Sequence, residues 1–151
     1  MNEGEGPGSP GHSASIQITP RLEEEDLLHL FGLAKSVFGS EPGWNDRKVL
    51  ASLREDVVFV AKEHGHPAGY VALRPAKQVT TVEQLFVAPG HEQRGVGRML
   101  LAFAEGYAIS KRTAVLRVVV ERDNDSARSF YRRSGFVPVE DEVFELVLPR
   151  P

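Results

Sequence analysis

Two hydrophobic periods alternate along the chain, and each change of period marks a new element. Ser15-Ile16-Gln17-Ile18-Thr19 alternates polar and apolar, which predicts a strand. Leu27, Leu30, Phe31, Ala34, Val37 and Phe38 then recur at helical spacing. Glu23 to Asp26 place four acidic groups in the first turn, where they complement the positive end of the helix dipole. Gly39 and Glu41-Pro42-Gly43 end that helix, and Asp46 to Arg54 predicts a shorter one. Val57 to Ala61 and Ala68 to Leu73 are apolar runs around the turn chemistry of His64-Gly65-His66-Pro67, a hairpin.

Thr80 to Val87 predicts a further strand, with Thr81, Glu83, Leu85 and Val87 on one face and Val82, Gln84 and Phe86 on the other. After a loop from Ala88 to Arg94, Leu100, Phe103, Ala104, Tyr107 and Ala108 form a helical stripe. Ala114 to Val120 is rich in β-branched residues and predicts a central strand. A helix over Asn124 to Arg133 follows, capped by Asp123 or Asn124 and stopped at Gly135. Phe136 to Val139 and Val143 to Leu148 close the chain as strands. The order β-α-α-β-β-β-α-β-α-β-β describes a layered α/β (α+β) domain around a mixed sheet.

Residues 1–14 follow neither period. Gly, Pro and Ser fill eight of these fourteen positions, which predicts a disordered tail before a single domain over 15–151. The 151 residues suffice for one core. The net charge of −3 gives no global attraction to nucleic acid or anionic membrane. The absence of cysteine removes disulfides, thiolate metal sites and a thiol nucleophile. No apolar run approaches the roughly 18 residues of a membrane helix. The start, Met-Asn-Glu-Gly-Glu, lacks a signal peptide's basic and apolar regions, so a soluble cytoplasmic protein is expected. His64, His66 and His91 fall in predicted loops without ligand spacing, and no metal is expected.

Two strand-to-helix junctions carry candidate chemistry. From Leu85 to Leu101 a strand ends, a glycine-containing loop follows and a helix begins. Free backbone N–H groups at the positive end of a helix bind phosphate. Gly95 and Gly97 allow close approach, and Arg94 and Arg98 add charge. The segment is not a Walker A loop, because Val96-Gly97 stands where Lys-Ser/Thr is needed. It is not a dinucleotide fingerprint, because Leu100 replaces the third glycine. Read alone, it also fits a helix start with no ligand. At the second junction Asn124 begins a helix and Tyr131 lies two turns along the same face. Read alone, Tyr131 fits an amphipathic core residue with its hydroxyl at the surface.

Together the junctions resemble the GCN5-related N-acetyltransferase (GNAT) superfamily. Its acyl-CoA motif, Arg/Gln-x-x-Gly-x-Gly/Ala, aligns with Glu92-Gln93-Arg94-Gly95-Val96-Gly97, after a Leu-x-Val-x-Pro lead-in at Leu85 to Pro89. Glu92 departs from the usual first residue. The second signature, Asn-x-x-Ala-x-x-x-Tyr-x-x-x-Gly-Phe, is complete in Asn124, Ala127, Tyr131, Gly135 and Phe136. The resemblance implies a mostly antiparallel mixed sheet with two splayed central parallel strands and about four helices. It implies acetyl-CoA as co-substrate and direct acetyl transfer to a primary amine, on a small molecule or a protein N-terminus or lysine.

The resemblance further implies that main-chain groups of Phe86 and Val87 meet the pantetheine and thioester, with Val87 N–H as oxyanion donor. The N–H groups from Gln93 through Arg94, Gly95, Val96 and Gly97 to Arg98 hold the pyrophosphate, and Asn124 bonds the pantetheine. Tyr131 matches the general acid. Glu83 is the candidate base because it is expected to share a face with Leu85 and Val87, and Glu121 is the reserve. Trp44 falls where the family's acceptor loop lies, and it either lines the amine pocket or anchors the loop on the core. Some of Arg112, Arg117, Arg122, Arg128, Arg132 and Arg133 are candidates for the 3′-phosphate. Homodimers are common in the family. The alternative is an acyl-CoA-binding scaffold or regulatory module that has lost turnover.

Overall fold

The computed structural model describes residues 16–20, 23–92 and 95–149. The predicted tail over 1–14 lies outside them. The elements follow the expected order. β1 spans Ile16–Thr19, α1 Glu24–Phe38, α2 Asp46–Glu55, β2 Val57–Glu63, β3 His66–Pro75 and β4 Val79–Val87. Then come α3 at Val96–Ser110, β5 at Val115–Val119, α4 at Asp125–Arg133, β6 at Val137–Pro138 and β7 at Val143–Val147. The seven strands form one sheet in the order β1-β2-β3-β4-β5-β7-β6. Every pair is antiparallel except β4 and β5. A parallel pair needs a crossover connection, and α3 supplies it.

The helices bury opposite faces of the sheet. On one side Leu100, Leu101, Ala104 and Ala108 of α3 and Tyr131 of α4 pack with Val71, Leu73, Leu116, Val118 and Phe144. On the other, Leu27, Leu30 and Ala34 of α1 and Leu53 of α2 cover Val58, Val60, Tyr70, Ala72 and Phe86. The predicted stripes place these residues inward. Val37 and Phe38 at the end of α1, and Phe103 within α3, are partly exposed. In α1, Asp26 reaches down to Lys62 of β2 at 2.8 Å.

The parallel pair is closed at one end only. Val79 to Val82 pair with Val115 to Val118. Ala114 N donates to Gln78 O at 2.8 Å, and the buried hydroxyls of Thr80 and Thr113 meet at 2.9 Å. Beyond Val82, β4 stays with β3 as far as Val87 opposite Gly69, while β5 stays with β7. The strands therefore diverge, and among the described residues the β5-facing edge of β4 after Val82 has no strand partner. Gly69 makes the outer pairing possible, because a side chain there would strike Phe86 O at 2.4 Å.

One expectation fails inside β4. Leu73 pairs with Val82 and Ala72 with Gln84, so Glu83 is an extra residue, a β-bulge. The bulge resets the alternation. Val82 packs on the α3 side with Leu85 and Val87, whereas Gln84 and Phe86 face α1. Strict period-two counting had put Val82 with Gln84 and Phe86, and Glu83 with Leu85 and Val87.

Candidate active site

The divergence of β4 and β5 opens a cleft of about 190 Å³. Its walls are Val82 to Leu85 on one side and Val118 to Glu121 on the other, and Asn124, Ala127 and Tyr131 of the second junction complete it. Three of the predicted site residues, Glu83, Asn124 and Tyr131, thus line a single cavity.

Each has its own local cause. Asn124 is the N-cap of α4, and its Oδ1 accepts from Ala127 N at 3.1 Å. This bond uses the carbonyl end of the amide, so the donor end remains for the cleft. Tyr131 lies near the end of α4, buried between Phe130 and Phe136 with ring centroids at 5.1 and 5.3 Å. Burial pushes its phenol above the ordinary range, so the hydroxyl holds its proton more tightly than a free tyrosine does. A neutral phenol at the cleft wall is a hydrogen-bond donor. Glu83, at the bulge, sends its carboxylate towards Arg74 Nη1 at 3.8 Å. Arg74 is mainly engaged by Asp56, whose Oδ1 accepts from its Nε at 3.0 Å.

The first junction packs against two of the elements that form the cleft, β4 and α4. Gly95 caps α3 with a φ of 84°, a left-handed conformation that favours glycine. The first intrahelical bond runs from Met99 N to Gly95 O at 3.0 Å, so the N–H groups of Val96, Gly97 and Arg98 precede the helical ladder. A methyl group on Gly97 would lie 3.6 Å from both Val87 Cγ2 and Phe130 Cζ. The start of α3 is therefore seated between the end of β4 and α4. Val96 is buried, so it offers only main chain, while Arg98 is exposed. Gln93 and Arg94, expected to hold phosphate, lie outside the described residues. Phe86 turns its ring to Tyr70 and Phe38, and Val87 packs on the α3 side, so the main chain is what either residue has for a ligand in the cleft.

Glu92, the departure from the motif, folds back and accepts from Gly90 N at 2.9 Å. Beside it, His91 Nδ1 meets the buried Glu63 carboxylate at 2.7 Å. His91, in the predicted loop, thus ties that loop to β2. Its partner lies 28 residues away, and no local pattern announces the contact. In the basic C-terminal half two arginines pair with carboxylates and two stack on a ring. Arg117 bonds Glu145 at 2.7 Å, Arg122 bonds Asp141, and Arg128 and Arg132 lie over the Phe144 ring at 5.0 and 5.5 Å. Among the described residues, no cluster of metal-ligating side chains occurs and no helix is long and apolar enough to cross a membrane.

Comparison with known proteins bears on this geometry. The sequence model of the acetyltransferase (GNAT) family matches residues 24–136, which contain both junctions. The chain belongs to the GNAT family. It is similar to an uncharacterized N-acetyltransferase, YhfO, of Bacillus subtilis, with 32% identity over 88 residues, 54% of this chain and 59% of that protein. The chain spans about half the length of the curated relatives it matches. The fold is shared with a GNAT acetyltransferase from Desulfovibrio desulfuricans, at TM-score 0.77 and 18% identity, covering 89% of this chain and 99% of that one. It is also shared with the PaiA N-acetyltransferase of Thermoplasma acidophilum, solved with coenzyme A, at TM-score 0.68 and 22% identity over 88% of this chain and 99% of that one.

A second cavity, of about 250 Å³, lies on the opposite face of β4. Phe38, Trp44, Val49 and Phe86 are among its walls, and it shares Gln84 and Leu85 with the cleft. Trp44 was a candidate for an acceptor loop or a core anchor, and it has features of both. It packs on Phe31 at 6.0 Å, donates from Nε1 to Asp46 at 2.5 Å and lines the cavity. Lys35 and Trp44 together hold the Asp46 carboxyl below the usual carboxylate range. Tyr70 and Gln84 were not singled out from sequence, since each sits in an ordinary strand pattern.

Proposed function

We propose that this protein transfers the acetyl group of acetyl-CoA directly to a primary amine. The observation that carries the proposal is the cleft itself, an unpaired β4 edge facing a buried neutral tyrosine, with the N-terminus of α3 beside it. Coenzyme A combines a polar, amide-containing arm with a pyrophosphate. The β4 edge from Glu83 to Val87 offers main-chain groups that pair with the arm as a strand would. Val96, Gly97 and Arg98 offer N–H groups to the pyrophosphate, with Gln93 and Arg94 as further candidates. The coenzyme A complex of the Thermoplasma relative supports the same ligand. Asn124 offers its amide donor to the arm.

The chemistry then follows from the groups around the cleft. The amine must lose a proton before or as it attacks the thioester carbonyl. Glu83, next to the shared wall at Gln84, is the candidate base, directly or through water, and Glu121 at the opposite wall is the reserve. Val87 N–H is the candidate donor to the oxyanion. When the C–S bond breaks, Tyr131 gives its proton to the leaving thiolate and regains one by way of solvent. The net change is an N-acyl bond formed, a thioester bond broken and the amine proton transferred to sulfur.

The test compares wild-type protein with Tyr131→Phe, with thiol release measured in the presence of a primary amine. Loss of the acid is expected to lower kcat by about 100-fold, within the range of general acid catalysis. Acetyl-CoA affinity is expected to change little. Wild-type protein that binds acetyl-CoA but releases no thiol with any amine would instead support the scaffold reading, which the Arg74 contact of Glu83 favours.

A further inference from the structure

We propose that the cavity between α1, Trp44 and β4 receives an apolar substituent of the acceptor, so that the enzyme selects amines bearing one aromatic or branched aliphatic group over polycationic amines. This rests on the acetyl-transfer reading and specifies its acceptor.

Position comes first. Gln84 and Leu85 line both the cavity and the cleft, so these two residues divide one space from the other. The bulge at Glu83 creates the arrangement by turning Gln84 towards α1 and Leu85 towards α3. A molecule with its apolar part in the cavity holds the atoms attached to that part at the divide, next to the cleft.

Charge comes second. Among the described residues, no acidic or basic side chain lines the cavity. The polar groups at its floor are already joined, with Tyr70 Oη donating to Gln84 Oε1 at 2.6 Å. Burial keeps the Tyr70 phenol protonated. The carboxylate nearest its wall, Asp46 on Trp44 Nε1, is already neutralised by Lys35 at 2.7 Å, so an ammonium group entering here would lose water without gaining an unpaired carboxylate, which is costly for a charge. The Glu83 carboxylate is outside the cavity, drawn towards Arg74. The reacting nitrogen therefore stays at the divide while the apolar group goes inward.

Size comes third. The cavity's 250 Å³ is below the roughly 300 Å³ at which whole-ligand pockets usually begin. It fits one ring or branched chain, not an entire extended molecule.

Trp44 is the chain's only tryptophan, so its fluorescence reports on this cavity without requiring turnover. The full chain is titrated with 2-phenylethylamine and, separately, with 1,3-diaminopropane. Saturable change with the first and none with the second is expected, along with a kcat/KM at least about tenfold higher for the aromatic amine. Phe38→Ala removes a partly exposed wall and is expected to weaken the aromatic amine by about tenfold, with Phe38→Tyr retaining it and leaving Trp44 the only indole. Gln84→Glu places a carboxylate at the divide and is expected to shift preference towards the diamine. Equal or better binding of 1,3-diaminopropane by the wild type would overturn the proposal. Calorimetry with acetyl-CoA separates the two readings. Fluorescence saturation without acetyl-CoA binding upholds the cavity and overturns acetyl transfer. Acetyl-CoA binding with no response to 2-phenylethylamine overturns the cavity alone.

Discussion

At the end of β4 the chain enters α3 through Gly95, with its φ of 84° and a neighbouring Gly97 that has no side chain to obstruct the helix start. At the end of β5 it enters α4 through Asn124, whose side chain closes the cap, and continues to Tyr131, which lines the cleft. The first junction offers main-chain N–H groups, and the second offers functional side chains. Main-chain recognition depends on the path of the backbone, so it tolerates an unusual neighbour. Glu92 illustrates this by turning its carboxylate onto Gly90 N within the loop. Side-chain recognition depends on identity, and the second signature is complete.

The sharpest way to break this contrast is a side chain at the first junction. Gly97→Glu puts a carboxylate beside the α3 N–H groups, and like-charge contact with a phosphate costs several kcal/mol, about a thousandfold in acetyl-CoA affinity. Gly97→Ala provides the control. Its methyl has ordinary 3.6 Å contacts, so affinity is expected to stay within about threefold and helix stability to hold or rise. Equal losses in calorimetry for Ala and Glu would mean that shape, not charge, governs the site.

A smaller effect sharpens the second junction. Asn124→Asp keeps an oxygen for Ala127 N, so stability is expected to hold, but it loses the amide donors, and acetyl-CoA binding is expected to weaken by about tenfold. Asn124→Ala is expected to lose affinity and, in addition, about 1 kcal/mol of stability, read as a fall in Tm of a few degrees. Unchanged affinity in the Asp variant would leave Asn124 as a cap alone.

The smallest effect is a pH dependence of stability. The Tyr131 and Tyr70 phenols have raised pKa values in the folded chain because they are buried. The folded state therefore holds their protons more tightly than the unfolded state. Their contribution is complete below the ordinary phenol value of about 10 and declines as pH rises above it. Thermal melts from pH 8 to 11 are expected to be level at first and then fall, less steeply for Tyr131→Phe. A Tyr131→Phe melt curve with the wild-type alkaline slope would show that this phenol is not shielded.

The element order and both junctions were legible in the sequence because local periods and caps determine them. The helices around Leu27 and Leu100 follow their stripes, and Asn124 caps α4 as its residue type predicts. The bulge at Glu83 was not legible. One extra residue leaves an alternating sequence looking regular, and only the register with Ala72 and Leu73 shows it. The consequence is large, because that residue was the candidate base. The His91–Glu63 contact and the Tyr70–Gln84 pair were hidden for a related reason, since each joins residues far apart in sequence. The second cavity, assembled from α1, α2, β3 and β4, has no motif of its own.

The central claim is that the diverging strands and the two junctions form one acetyl-CoA site. Calorimetric titration of the full chain with acetyl-CoA, beside CoA and ATP, tests it most directly. The account predicts saturable one-to-one binding of acetyl-CoA that survives Gly97→Ala and is lost in Gly97→Glu. No heat of binding at millimolar acetyl-CoA, or binding that Gly97→Glu leaves intact, would contradict it.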